Sequence, residues 1–215
     1  VSIPQGDWMT RRGLVRRDSL RVIPPVVDLS RFRALAAPQG RPTVIGAIGR
    51  LHRQKGFDLL IEAFRALPRQ DIALHIHGTG PEEALLKALA GGDDRIRFFG
   101  HGEAPDAIMA NVDIVAMPSR WEAFGLVALE ARAARRPLLT SGVDGLAHSA
   151  GGHQAIGKAS PAAWTRSLDA MLAGQSVSHL ALAREPEAAF RQAWKTLLCT
   201  TTRSAPVTTL HLTPA

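Results

Sequence analysis

The chain has no tyrosine, and aromatic residues make up only 5% of its 215 positions. That argues against a nucleic-acid surface built on base stacking, and no RNA- or DNA-reading motif stands in for it. A single cysteine, Cys199, excludes an internal disulfide and fits a reducing, cytoplasmic setting. No apolar run approaches the roughly 18–20 residues that a membrane-spanning helix needs. The N-terminus lacks a basic region followed by an apolar core and a small-residue cleavage site, so no signal peptide is read. It also lacks an initiating Met, and Val1 points to a piece of something longer. Lysine is scarce, standing only at Lys55, Lys87, Lys158 and Lys195, so the net charge of +7 is carried mostly by arginine. Two sources of that excess stay open. One is an anionic partner such as a phosphate or an acidic membrane face. The other is the base composition of a GC-rich genome, which the abundant alanine also suggests.

What is present is a globular composition: 46% hydrophobic and 21% charged residues. That suffices for one domain with a sizeable core and pieces of a second. Residues 43–49 (TVIGAIG) form a short β-branched run ending in Gly, which reads as a buried strand. Residues 57–67 place Leu60, Ile61, Phe64 and Leu67 at helical spacing, and Pro68 ends the helix. The pattern then repeats. Strands are expected at 72–77, 95–99, 112–117 and 137–140. Helices are expected at 81–89, 105–110, 124–134, 161–172 and 188–198. Five strands alternating with helices imply an α/β class: a Rossmann-like parallel sheet flanked by helices, with ligands beyond the carboxyl ends of the strands. Residues 142–160 carry little periodicity. Residues 8–17 are polar and Arg-rich, consistent with an exposed helix. Residues 21–27 read as extended and 38–42 as a linker-like break. The expected organisation is therefore 1–40 as the remnant of a preceding domain plus a connection, 41–199 as the sheet domain, and 200–215 as a tail.

Two constellations carry chemistry. Gly49-Arg50-Leu51-His52-Arg53-Gln54-Lys55-Gly56 follows a strand and opens a helix, where free N–H groups and the helix dipole favour an anion. Arg50 and Lys55 add two cations, apt for a diphosphate; an ordinary loop with solvated basic residues remains the alternative. The second runs from Glu122 through Phe124-Gly125-Leu126-Val127 to Glu130. Glu122 precedes a helix and Glu130 lies within it among apolar neighbours. A buried carboxylate is costly unless bonded, and sugar hydroxyls are natural partners. An ion pair with Arg132 or Arg135 would explain Glu130 equally well.

In order and spacing these pieces resemble the C-terminal domain of the family 4 (group 1) glycosyltransferases, which have the GT-B fold. The resemblance rests on Arg50 and Lys55 with four residues between them, and on Glu122 and Glu130 with seven between them. Around these stand RVIPPVVDLSRF, IGRLHRQKGFDLLIEAF, HIHGTGPEE, RIRFFGHG and VDIVAMPSRWEAFGLVALEARAARRPLL. It covers Val22 to Thr140 well and Ser141 to Leu198 poorly. The resemblance implies hexosyl transfer from a nucleotide-diphosphate sugar, with retention of configuration and no metal or other cofactor. It assigns the donor diphosphate to Arg50 and Lys55, the donor sugar hydroxyls to Glu122, and the ribose hydroxyls to Glu130. It assigns backbone contacts to Phe124, Gly125, Leu126 and Val127, and room for the nucleotide to Gly49, Gly78 and Gly80. Phe99 and His101 would lie beside the base. The partner it implies is an N-terminal acceptor domain. Two departures stand out: Pro25-Val26 replaces the usual Asn-Gly, and Val143-Asp144-Gly145-Leu146-Ala147-His148 replaces a Gly-Gly-x-Pro-Glu stretch that walls the sugar pocket.

Among the other residues, His52, His75, His77 and His101 invite a metal, yet no Cys or carboxylate accompanies them in a known metal pattern. Arg11, Arg12, Arg16 and Arg17 would form one basic strip if helical, either solvated or set against an acidic membrane face as a peripheral contact. Trp8, Trp121, Trp164 and Trp194 are expected to pack, with Trp121, beside Glu122, the one placed to face the pocket. Other functions considered are a non-catalytic nucleotide-sugar-binding module working with a separate acceptor subunit, and an epimerase of the same fold.

Overall fold

The computed structural model describes residues 2–23, 25, 27–151, 156, 160–174 and 186–201. The chain runs through α1 (Ile3–Arg11), α2 (Ser30–Arg33), β1 (Val44–Ile48), α3 (Phe57–Arg65), β2 (Ala73–His77), α4 (Glu83–Ala90) and β3 (Ile96–Gly100). It continues through α5 (Pro105–Ala110), β4 (Ile114–Met117), α6 (Leu126–Ala133), β5 (Leu138–Thr140), α7 (Asp144–Ala150), α8 (Pro161–Leu172) and α9 (Pro186–Thr201). The five strands form one sheet in the order β3-β2-β1-β4-β5, and every pairing is parallel. The fold is therefore the helix-flanked parallel α/β sheet that the alternation of strands and helices implies. The order reverses between β1 and β4, which makes the crevice above those two strands the switch point of the sheet.

The pleat sends alternate residues to opposite faces, and each face has its own core. Ile45, Leu74, Ile76 and Ile114 meet Leu60, Ile61 and Phe64 of α3, Leu86 of α4, and Trp164 and Leu168 of α8. On the opposite face Val115, Met117 and Leu138 meet Phe32 of α2, Met109 of α5, Ala128 and Ala131 of α6, and Leu146 and Ala150 of α7. A Cβ at Gly46 would lie 2.8 Å from Val112 Cγ1, so this strand position admits no side chain without displacement.

Three local expectations change. The Arg-rich helix lies at Ile3–Arg11 rather than at 8–17, because Ser2 caps it by accepting from the Gln5 N–H, and Gly13 at φ 69 turns the chain away. Arg16 and Arg17 therefore leave the helix and sit against Asp18 and Asp7, and the four arginines form no single strip. The weakly periodic stretch after Thr140 contains α7, whose buried residues are Gly145, Leu146, Ser149 and Ala150, a face too small and polar to show as an apolar stripe. Helix α6 begins two residues after Phe124, at Leu126, because Gly125 takes φ 84 as its cap.

The chain divides into two compact units, Val1–Leu182 and Ala183–Ala215. The first holds the whole sheet and also the opening segment, with α1 against α7 and α2 against α5 and α6. The second is described for α9, in which Phe190 and Trp194 meet edge-on one turn apart. Val26, residues 152–155 and 157–159, and the expected tail from 202 onward lie outside the described residues. Among the described residues no helix is long and apolar enough to cross a membrane.

Candidate functional site

The loops after β1 and β4 flank the switch point, and the sequence ties them together at several places. Gly56, at φ 68, ends the first loop; a Cβ there would lie 2.2 Å from the Pro118 carbonyl oxygen of the second. The position therefore requires glycine twice over, for its dihedral and for the close approach. Arg120 donates two hydrogen bonds to the Asp58 carboxylate, at 2.8 and 2.6 Å, and a third to the Arg53 carbonyl. Burial works against the Asp58 carboxylate, but Arg120 outweighs it and holds the pKa below the ordinary carboxylate value. Gln54 donates through Nε2 to the Trp121 carbonyl. His52 accepts the Gln54 N–H on Nδ1 and so caps a short turn over Arg53–Lys55.

At the centre Lys55 Nζ lies 2.6 Å from Glu122 Oε2, with both side chains largely buried. The two constellations read separately in the sequence thus meet in one ion pair. The lysine stem runs under Gly49, where a Cβ would lie 3.2 Å from Lys55 Cε. An ammonium has three N–H donors, and among the described residues only Glu122 engages one, so two remain for a ligand. Glu122 is held on its own side by α7: the Gly145 N–H donates to the Glu122 carbonyl, and a Cβ at Gly145 would lie 1.9 Å from the Ala123 carbonyl oxygen. Helix α7, which shows no apolar stripe in the sequence, therefore stands over the stretch that departs from the resembled motif.

Beside the pair a cavity of about 650 Å³ opens over the ends of β1, β2 and β3. Gly49, Arg50, Gly78, Gly80, His101 and Glu103 line it. Gly78 and Gly80 also have a packing reason to be glycine: Cβ atoms there would meet the carbonyl oxygens of Gly49 and Leu51 at 2.0 and 2.3 Å. His77 also lines the cavity and is largely buried; among the described residues its two ring nitrogens find no hydrogen-bond partner, although Nδ1 lies 3.5 Å from Glu103 Oε2. Burial lowers the His77 pKa and the nearby Glu103 raises it, with burial prevailing.

Not every expected residue gathers there. Phe99 is the extra residue of a bulge between β2 and β3 and stacks on His77 at 4.6 Å, lining neither of the two cavities named in this section. Phe124 is buried and faces His148. Leu126 and Val127 open α6, with Leu126 exposed. Glu130 sits partly buried on the same helix, and burial raises its pKa. Neither Arg132 nor Arg135 pairs with it: Arg132 donates to the Ser149 carbonyl and Arg135 to that of Leu35. A second cavity, of about 440 Å³, is lined by Glu122 together with Gln5 and Trp8 of α1, Trp121 and Asp144. Of the four tryptophans expected to pack, only Trp164 is fully buried. Among the described residues no three His, Cys, Asp or Glu side chains converge as a metal site.

Arg120, Asp58 and Asp144 escaped the sequence reading. The first two lie 62 positions apart and share no local spacing, so only the folded loops bring them together.

A parallel sheet whose two switch-point loops are joined by a buried ion pair belongs to the Rossmann-like, ligand-binding α/β class. A sequence model of the group 1 glycosyl transferases matches residues 42–174. The chain belongs to that family, and the match continues well past Thr140. The D-inositol 3-phosphate glycosyltransferase of Salinispora tropica is 34% identical over 188 residues, covering 71% of this chain and 39% of that protein. The lipopolysaccharide core biosynthesis mannosyltransferase LpsB of Rhizobium meliloti is 38% identical over 137 residues, covering 59% and 38%. The chain thus spans about two fifths of the length of these curated relatives. Among solved structures, the lipopolysaccharide outer core galactosyltransferase WaaB, in its apo form, superposes with a TM-score of 0.73 at 17% identity, covering 93% of this chain and 60% of that one. Anabaena Alr3699/HepE in complex with UDP-glucose superposes with a TM-score of 0.69 at 18% identity, covering 88% and 60%. The fold is that of the GT-B glycosyltransferases.

Proposed function

We propose that the chain is the donor-binding part of a retaining, metal-independent hexosyltransferase that uses a nucleotide-diphosphate sugar and works with an acceptor-binding domain. The observation that carries this reading is the Lys55–Glu122 pair at the switch point, 2.6 Å long and flanked by a cavity lined by Arg50. In this reading Arg50 and the two spare Lys55 protons take the diphosphate and stabilise charge on the departing nucleotide, doing what a divalent ion does elsewhere. Glu122, its side chain held by Lys55 and its backbone carbonyl by the Gly145 N–H, accepts hydrogen bonds from donor-sugar hydroxyls. Gly125, Leu126 and Val127 present backbone N–H groups at the start of α6. Glu130, a carboxylate with no paired cation among the described residues, accepts hydrogen bonds from the ribose hydroxyls. The base occupies the cavity beside His101.

The test is calorimetric titration of the purified chain with UDP, GDP and ADP and their sugar conjugates, beside an Arg50→Ala/Lys55→Ala variant. Saturable binding of one nucleotide, unaffected by chelator and weakened about a hundredfold in the variant, is expected. A folded chain that binds none of them at about 1 mM would overturn the donor-binding reading.

A further inference from the structure

The two cavities differ in chemistry, and Glu122 lines the smaller. The larger is lined by Arg50, His101 and a run of glycine backbone, a setting for an anion. The smaller is lined by Gln5 and Trp8 of α1, by Gln54, by Trp121 and Glu122, and by Asp144 of α7. Its lining residues include two carboxylates, Glu122 and Asp144, and no cation, so hydroxyl donors find more partners among them than an anion does. Both indoles are about half exposed, Trp8 at 48% and Trp121 at 46%, and so leave ring surface open to a ligand. Arg12 lies over the Trp8 ring at 5.7 Å, and Gln54 holds the Trp121 carbonyl. Gln5 adds a side-chain oxygen that is buried with no hydrogen-bond partner among the described residues.

A flat apolar platform ringed by acceptors of hydroxyl protons suits one ligand class well. A pyranose has an apolar C–H face for stacking on an indole and a rim of hydroxyl donors for carboxylate and amide oxygens. The volume of about 440 Å³ falls within the usual range for small-molecule sites. We propose that this cavity, on the α1 side of Glu122, is a subsite for an uncharged saccharide acceptor, with Trp8 and Trp121 as its platforms and Asp144 as its hydroxyl acceptor. The proposal rests on the donor-binding reading only for the word acceptor; the chemistry of the cavity stands by itself. It divides the site by charge, phosphates on the Arg50 side and a neutral ring on the Trp8 side, with Lys55–Glu122 at the boundary.

The experiment follows tryptophan fluorescence of the whole chain during titration with methyl α-glucopyranoside, methyl α-mannopyranoside, methyl α-galactopyranoside and glucose 6-phosphate. Each titration is run alone, with the nucleotide found to bind, and with the corresponding intact nucleotide sugar. At least one glycoside is expected to saturate at roughly 1–10 mM, with glucose 6-phosphate about tenfold weaker. Trp8→Ala should weaken the glycoside about tenfold and leave nucleotide affinity unchanged, and Trp8→Phe should keep most of the binding. A chain that binds nucleotide but no glycoside overturns the subsite alone, as does glycoside binding indifferent to Trp8→Ala. Glycoside binding that the nucleotide sugar abolishes and the nucleotide does not would assign the cavity to the donor's own hexose, and would overturn the acceptor claim. A chain that binds glycosides but no nucleotide keeps the saccharide site, and removes the donor-binding reading and the word acceptor with it.

Discussion

The two faces of the sheet are built on different principles. The face under α3, α4 and α8 is filled by large side chains: Phe57, Leu60, Ile61, Phe64 and Trp164. The face under α2, α5, α6 and α7 relies more on alanine, with Ala128, Ala131, Ala133, Ala134 and Ala150 buried beside larger residues such as Phe32, Met109 and Leu146. Small side chains let helices approach closely, and they bury less apolar area per residue. The thin face makes up part of the difference with arginine. Arg136 is buried and donates to the carbonyls of Met109, Ala36 and Ala134, while Arg132 donates to that of Ser149. Some of the basic excess noted in the sequence is thus structural, clamping backbone carbonyls on the side that also positions Glu122.

The comparison predicts opposite sensitivities. Phe64→Ala empties a fully buried site on the thick face and is expected to cost about 3–5 kcal/mol in urea unfolding. On the thin face enlargement does the damage, and Ala131→Leu is expected to cost about 1–3 kcal/mol. A neutral Ala131→Leu would mean that the alanine face is not close-packed.

Arg136→Met comes next. It keeps the apolar stem and strands three carbonyls, at an expected cost of about 2–3 kcal/mol. If the cost is within about 0.5 kcal/mol, the arginine contributes through packing rather than through its hydrogen bonds.

The same contrast explains what could be read from sequence. The thick face announced itself through large apolar residues at helical and strand spacing, so α3, α8 and the five strands were legible. The resemblance motifs were legible because they fall on sharp loops rich in Gly and charge. Helix α7 was not, because its buried face is Gly145, Leu146, Ser149 and Ala150, and Gly145 is required by contact with Ala123 from another loop. Asp144 was passed over for the same reason. The Lys55–Glu122 pair joins residues 67 positions apart, and each was assigned its own ligand before the fold brought them to 2.6 Å. Phe99 stands at a bulge, which no propensity signals.

Glu130 sharpens the comparison at the smallest scale, because it is a carboxylate on the thin face that no arginine clamp reaches. Burial raises its pKa. Between the ordinary carboxyl value of about 4.3 and that raised value, the folded chain holds more protons than the unfolded one. Stability therefore falls as pH rises through this window, and the penalty is complete once the folded group has ionised. Glu130→Gln is expected to stabilise the chain near pH 7 by about 1 kcal/mol at most, a rise of roughly 2–4 °C in Tm. The gain should vanish near pH 3, where the carboxyl is protonated in both the folded and the unfolded chain. A residue kept at a cost to stability is expected where a ligand uses it, so the same variant should weaken nucleotide binding about tenfold. Thermal scans at the two pH values and one titration separate the cases. A Tm gain with unchanged nucleotide affinity would remove Glu130 from the ribose site and leave it as an unpaired acid tolerated by a loosely filled face.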